Sequence, residues 1–578
     1  MRYLYTHTAT EATTGYFSCE PDPKPALGDA LQYLAAHPLD EFIRRHLIPR
    51  MSDMPGDALK DLLDAAFPEG MFPAAVRTLL AELVLINPAL RQVLPVVNHT
   101  VNEEERKTAL ETPLIFLRWA RLPDKDPHRA WGRIFNANMR NHQALKAPGE
   151  YGLPPLFPES PDAAPGLPGA APVFTAPFSA TLPAVHARYA SRAFSLHQRP
   201  PAADTAALAE ERLASLAIPA GREMRHTASL SPVALLRPWN LRLRVRSGRH
   251  DFSLEGQATT YGRGLSVPDA RASCLMEMVE RASAYLSVTD CLVESRQRPC
   301  RLQYGSRAEL AEEGYDTVDP NDFPLETPYA HERLYWIQGE QACGRPVSVP
   351  VQMAALFSNL DEIALFDAPG STGIATGNTL EEAKLAALLE IIERDAEATT
   401  PFSKAACFTL ETDSDADPVL AALLADYAAR GINVQFQDLT GPLGVPVYKC
   451  FVMSPRGAIA AGHGAGLAAR KALVSALTET PFPYPDGGPS GPMLRKLPRR
   501  HLREFPDYTL PSPEANLAML ETLLSENGRV PVYVNLTHER LKFPVVRCLL
   551  PGFELTADRD TFSRVPLRLY RNYLGLFG

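Results

Sequence analysis

Basic charge, paired cysteines and long apolar runs are what this 578-residue chain has little of, and each shortage excludes a class of function. Lys and Arg number 58 against 67 Asp and Glu, so with a net charge of −9 there is no basic excess to neutralise nucleic-acid phosphates. The most apolar run, Leu79 to Leu90, is interrupted by Glu82 and Pro88 and falls short of the ~20 residues a membrane span needs. The N-terminal Met1-Arg2-Tyr3-Leu4-Tyr5-Thr6-His7 lacks the apolar core of a signal peptide. Neither nucleic acid nor membrane is therefore an expected partner, and a cytoplasmic location is expected. The eight cysteines (Cys19, Cys274, Cys291, Cys300, Cys343, Cys407, Cys450 and Cys548) include no C-x-x-C pair and no matching histidine spacing. That argues against structural zinc and for buried thiols in a reducing compartment, Cys274 included.

What is present divides the chain into three parts. Residues 1–146 read as a helical module. Asp29 to Leu34, Leu59 to Ala66, Val76 to Ile86 and Leu114 to Arg121 place apolar residues at helical spacing, punctuated by Pro68, Pro73 and Pro88. Trp119, Arg121, Trp131 and Arg133 suit either a docking surface or, more commonly for aromatics at such spacing, a core. Pro148 to Pro172 contains eight prolines among Gly and Ala, so residues 147–201 read as an extended linker, with Val185 to Tyr189 free to wrap over a neighbour. From Ala202 a helix leads into strands, of which Leu241-Arg242-Leu243-Arg244-Val245 is apolar on one face and basic on the other. Strands also read around Leu334 to Ile337 and Val347 to Val349, and residues 202–578 form the third part.

The chemistry concentrates in a pattern that occurs twice. Glu277-x-x-Glu280-Arg281 and Glu390-x-x-Glu393-Arg394 each put two carboxylates on one helix face. Glu390 and Glu393 sit among Leu385, Leu388, Leu389, Ile391 and Ile392, so little of that helix is left for water. Buried carboxylates must be paired or bind a metal, and hard oxygen ligands suit Mg²⁺, which usually also takes substrate phosphates. Each helix follows a glycine turn, Gly262-Arg263-Gly264 or Gly370 to Gly377, of the kind that lets backbone amides face an anion. Asn378 is placed to cap the second helix. Arg394 and Asp395 suit either ion-pair scaffolding or a role in the site.

These residues carry a resemblance. Tyr261-Gly262-Arg263-Gly264 with Ser273-x-x-x-Glu277-x-x-Glu280-Arg281, then Ser371 to Thr379 with Glu390 to Asp395, is similar to the YcaO family. So are Trp336 to Gly339 leading to Pro346 to Pro350, and Pro544 to Arg547 leading to Pro551-Gly552. The similarity runs from about Ala202 to the C-terminus. It implies an α+β fold, a YcaO-like mixed α/β domain with two pseudo-equivalent acidic helices behind a small all-helical module. It also implies ATP and Mg²⁺ as cofactors. Arg263, Ser273, Glu277, Glu280, Glu390, Glu393, Arg394 and Glu479 would frame the nucleotide, Glu277, Glu280, Glu390 and Glu393 would hold the metal, and Glu393 and Glu479 would be catalytic.

YcaO proteins activate a peptide backbone amide by phosphorylating its oxygen. A peptide or protein substrate, a partner protein for sulfur delivery or substrate docking, and a homodimer are the implied associations. The third motif, Gly462 to Glu479, departs from the family: Gly466 stands for a histidine, Ser475 for an arginine, and Pro481 ends the helix early. Arg470 or Lys471 would have to compensate. The C-terminus, Leu567 to Gly578, also lacks the P-x-P-x-P ending found in the azoline-forming members that need it, so thioamide or another amide modification is expected in place of azolines. The alternative is a degenerate domain acting as an accessory scaffold, for example in methylthiolation of a ribosomal protein.

Overall fold

The computed structural model describes residues 1–8, 16–94, 115–120, 122–157, 178–218, 220–356, 359–365, 370–556, 559 and 563–578. Leu114, Arg121 and most of the Pro-rich stretch lie outside the described residues. The architecture is mixed α/β, with three sheets among the described residues.

Its spine is a hairpin of two 15-residue strands, Val233–Ser247 and His250–Gly264, in register from Val233 opposite Gly264 to Ser247 opposite His250. Alternation dictates this: Leu241, Leu243 and Val245 are buried, while Arg242, Arg244 and Arg246 face out and pair with Glu255, Asp251 and Asp290. Gly248 supplies the left-handed φ of +60° that the two-residue turn needs. The first sheet runs Tyr16–Pro21, Arg2–Thr8, His250–Gly264, Val233–Ser247, then the short strands Val288–Thr289, Leu292–Val293 and Cys300–Arg301. The second runs Pro346–Pro350, Leu334–Gln341, Val532–Asn535, Val545–Leu549 and Ile374–Thr376. The third runs Ile459–Ala465, Val447–Met453, Gln435–Asp438, Cys407–Glu411 and Arg499–His501.

The N-terminal region corrects the expectation of an all-helical, separate module. Its helices exist: Leu27–Ala36, Glu41–Ser52, Gly56–Ala66 and Ala74–Ile86 share a core of Leu31, Ile43, Leu47, Leu59, Leu63, Leu79 and Leu83. Arg44 is buried among them and bonded to Glu41 and Glu82. Before them, however, Arg2–Thr8 forms a parallel strand beside the long hairpin, and Tyr3, fully buried, packs its ring on Phe42 and Phe252. Asp40 accepts the Tyr3 hydroxyl at 2.7 Å, the Asn359 amide at 2.9 Å and the Phe42 N–H at 3.1 Å. A buried carboxylate bonded on three sides ties this region to the rest of the chain.

The helix Lys125–Asn141 is anchored as firmly. Trp131 and Phe135 pack on Leu569 and Tyr573 of the last helix, Leu567–Leu574. Asn138 exchanges hydrogen bonds with the Phe402 backbone, and the His142 ring stacks on Phe402 at 3.7 Å. Trp119 and Trp131 are core residues, not a docking surface. Within the proposed linker, Leu182–Ala190 is a helix whose Val185 and Tyr189 are buried against Pro513–Glu526, so this part wraps over a neighbour as its apolar spacing suggests.

Candidate functional site

Three times in this fold a strand ends in a glycine turn and feeds a helix that packs straight back against it. His250–Gly264 leads to the first acidic helix, Val267–Ala284; Ile374–Thr376 leads to the second, Leu380–Thr399; Ile459–Ala465 leads to a third helix, Ala469–Glu479. The glycines allow the contact. A Cβ on Gly262 would collide with the Ala270 carbonyl and Cys274, and one on Gly464 with the Ala472 carbonyl and the Ala476 N–H. A Cβ on Gly264 would lie 2.8 Å from Asp269 Cβ, and one on Gly377 2.7 Å from Glu382 Cβ. Spacing makes the units equivalent: Gly262, Gly264 and Glu277 correspond to Ala375, Gly377 and Glu390, and to Gly464, Gly466 and Glu479. Ser475 thus occupies the place of Ser273.

The helices present their glutamates to one another. Glu277 accepts the Tyr261 N–H at 2.8 Å, Glu390 the Gly373 N–H at 3.2 Å, and Glu393 the Ala465 N–H at 2.9 Å. Each carboxylate is therefore pinned by the backbone of a strand-to-helix unit. Arg281 bonds Glu277 at 3.1 Å and Glu280 at 2.7 Å, while Arg394 bonds Glu397 at 3.1 Å and stands 3.9 Å from Glu393. Arg263 and Arg394 attract Glu479, and Glu277 and Glu397 repel it. Burial raises Glu280 to about 8, with repulsion from Glu390 and Glu277 adding to it and Arg281 opposing it. Burial likewise raises Glu390 against its arginine neighbours. Burial raises both Glu393 and Glu479; repulsion from Glu479 adds to it at Glu393, and repulsion from Glu397 and Glu277 adds to it at Glu479.

Ser273 is exposed on the first acidic helix, one turn before Glu277. Other residues named from sequence do not belong here. Asp395 points to the opposite face of its helix, where Arg568 and the Glu554 N–H bind it, so its role is to hold the C-terminal segment. Cys274 is a packing thiol, fully buried beside Thr260 and pushed up to about 11 by burial. The cap of the second acidic helix is Thr379, which accepts the Glu382 N–H at 3.2 Å, while the Asn378 amide bonds the Glu382 side chain. Neither proposed substitute for the missing arginine reaches Glu479. Arg470 is bonded to Asp417, and Lys471 stands with Arg199 and Glu382 at the other end of the helices.

Sequence reasoning missed Arg547, which is fully buried, donates to the Gly370 carbonyl at 2.9 Å and faces Glu390 and Glu280. It also missed Glu397, His463 and Lys449. The E-x-x-E-R-D-A-E run already put Glu397 one turn beyond Glu393, which was the available signal.

The donor set suits a cation and an anion together. Several carboxylates whose protons are held too tightly are the groups a divalent cation compensates, and hard oxygens without cysteine match Mg²⁺. Among the described residues no three carboxylate, imidazole or thiol groups already surround one point, and Arg281 and Arg394 bond glutamates of their own helices. Arg263 Nε is buried beside Glu479 without a hydrogen-bond partner, the state of a donor that fits a phosphate oxygen.

Residues 261–481 match the family model described as YcaO cyclodehydratase, ATP- and Mg²⁺-binding. An uncharacterised protein of Methanothermobacter thermautotrophicus is 27% identical over 347 residues, covering 54% of this chain and 86% of that protein. Among solved structures, a heterocyclase in complex with substrate and cofactor matches with a TM-score of 0.49 at 17% identity, covering 67% of this chain and 58% of that one. The chain thus spans less than two thirds of that heterocyclase. YcaO from Methanopyrus kandleri, bound with AMPPCP and Mg²⁺, matches with a TM-score of 0.44 at 19% identity, covering 63% of this chain and 95% of that one. The three glutamate-bearing helices lie within the matched span, and residues 261–481 match the YcaO family, whose model is described as ATP- and Mg²⁺-binding.

Proposed function

We propose that this protein holds Mg-ATP between the three glutamate-bearing helices and activates a peptide or protein backbone amide for thioamide formation or a related modification. The observation that carries this reading is the set of buried glutamates with raised proton affinity, facing an arginine whose Nε has no partner. Bound ATP supplies the phosphoryl group that turns an amide oxygen into a leaving group, and Mg²⁺ offsets the charge of its phosphates. Arg263 would bind a phosphate oxygen through Nε, Glu277, Glu280, Glu390 and Glu393 would take the metal, and Glu393 and Glu479 would be the catalytic carboxylates beside it. Arg281, Arg394 and Arg547 keep the carboxylates from repelling one another.

The alternative, an accessory scaffold such as one serving methylthiolation of a ribosomal protein, draws on the third unit. Its helix ends at Glu479, and Phe482 and Pro483 stand where the other two units carry the second glutamate and the arginine. Calorimetric titration with Mg-ATP, beside phosphate release with and without candidate peptides, separates the readings. Binding with peptide-stimulated release is expected. Binding with no release favours the scaffold, and no binding overturns both. Peptide substrate, sulfur-delivery or docking partner, and a homodimer form the rest of this proposal.

A further inference from the structure

The second acidic helix carries one more carboxylate on its site face. Glu397 lies one turn beyond Glu393, and both reach the strand Ile459–Ala465: Glu393 accepts the Ala465 N–H at 2.9 Å, and Glu397 stands 3.4 Å from His463 Nδ1. His463 and Ala465, two residues apart, share one face of that strand. Lys449 is the direct cross-strand neighbour of His463, and its Nζ turns away to the Met139 carbonyl at 2.9 Å. The charged groups around the imidazole are therefore Glu397 and Arg394 from the helix and Lys449 from the next strand, with Cys407 beyond Lys449.

This cluster differs from the charged groups that only hold the fold together. Asp395, on the other face of the same helix, is closed by Arg568 and a backbone N–H, whereas the Glu397 and His463 side chains keep 21% and 12% of their exposure. Burial, helped by Lys449 and Arg394 and opposed by Glu397, holds His463 down at about 4, so the imidazole is neutral at pH 7. A carboxylate against Nδ1 keeps the proton on that nitrogen and leaves Nε2 as the acceptor. Glu397 is held at its other oxygen by Arg394 at 3.1 Å, and the other carboxylates nearby are engaged by arginines and, in the reading above, by the cation.

We infer that His463 is the base of the phosphoryl-transfer step, with Glu397 as its positioning residue. The inference rests on the Mg-ATP reading and adds a proton acceptor to it. In the step, the attacking oxygen bonds to the γ-phosphorus, the bond from that phosphorus to the β,γ-bridging oxygen breaks, and ADP leaves with the electron pair. The acceptor's proton passes to His463 Nε2: an O–H proton when water attacks, or the N–H proton of a backbone amide attacking through its oxygen.

The test uses the full chain, Mg-AMPPCP for binding, and Mg-ATP without peptide for phosphate release. His463→Ala is expected to bind Mg-AMPPCP about as tightly as the unaltered protein, to lose phosphate release by about 100-fold or more, and to regain part of it on adding imidazole. Glu397→Gln is expected to lose less and to gain nothing from imidazole. Unchanged release, or a loss that imidazole does not restore, overturns the inference while leaving the nucleotide site standing. If the unaltered chain releases no phosphate, nitrogen-15 spectra decide: a His463 Nε2 resonance that moves on adding Mg-AMPPCP supports the role, and one that stays put overturns it. Failure to bind Mg-AMPPCP at all overturns the nucleotide site and this step together.

Discussion

Glu280 holds a proton that a glutamate in water would have lost. Its carboxyl is raised to about 8 from 4.5, so folding favours the protonated form. The associated stability is fully present below pH 4.5 and is lost as pH rises to about 8. The melting temperature of the nucleotide-free protein is therefore expected to fall across that range, and Glu280→Gln to flatten the slope. A slope unchanged by the substitution would mean that Arg281 already compensates the charge in full. Glu393→Gln should lower Mg-ATP affinity by more than about tenfold, or ~1.4 kcal/mol, because the pair it forms with Glu479 loses charge. The same change relieves repulsion, so the nucleotide-free variant should melt no lower than the parent. The reverse pair of results, intact affinity with lowered stability, is what an ion-pair glutamate would give. At this scale the glutamates were legible because acid inside an apolar helix demands an explanation. Arg547 was not, since nothing local shows that a strand arginine reaches across a sheet to them.

Helix and strand meet at the glycines. Gly262→Ala and Gly464→Ala would drive a methyl group into the carbonyls of Ala270 and Ala472, with no flexible side chain there to yield. Each is expected to cost about 1–3 kcal/mol or more and to weaken Mg-ATP binding by shifting the helix that carries Glu277 or Glu479. Gly149→Ala, with nothing within 4 Å, should change neither melting nor binding and serves as the control. Two of the three units were readable as repeats because both keep Glu-x-x-Glu-Arg. The third was read only as a frayed motif: its shared features are glycines and a single glutamate, and the equivalence appears only when Gly464 is seen against Ala472. Ser475 marks the same point. By family pattern it replaces an arginine, yet within this chain it stands where Ser273 does. Ser475→Arg is expected to raise phosphate release; no gain would favour the scaffold reading.

The whole molecule folds around its own N-terminus. Deleting residues 1–146 removes the strand beside the hairpin, the Asp40 hydrogen bonds and the helix under Lys449 and Phe402. The truncated chain is expected to be insoluble or to lack a cooperative melting transition, instead of folding as an independent nucleotide-binding unit. Residues 1–157 and 178–578 expressed together as two chains should instead co-purify. Separation of the two pieces with the larger one still folded would restore the view of a detachable module. The strand that carries Tyr3 and Tyr5 was not read from the sequence, because its partner lies beyond the Pro-rich stretch and pairing over that distance leaves no periodic mark. The second sheet is similar: the neighbours Leu334–Gln341 and Pro346–Pro350 were legible as strands, but Ile374–Thr376 was read as part of a glycine turn, and the insertion of Val532–Asn535 and Val545–Leu549 between Leu334–Gln341 and Ile374–Thr376 was not legible.

The three strand-to-helix units are alike in backbone but unequal in what they carry. Three identical walls would give a cleft with threefold likeness, in which an elongated guest could enter in several equivalent poses. Here two walls bring a glutamate pair with an arginine, and the third stops at Glu479 before a proline-rich exit. That shortening breaks the likeness and leaves two sides with paired glutamates and an arginine against one with Glu479 alone. A guest with a charged end and a neutral end then has a single way to lie.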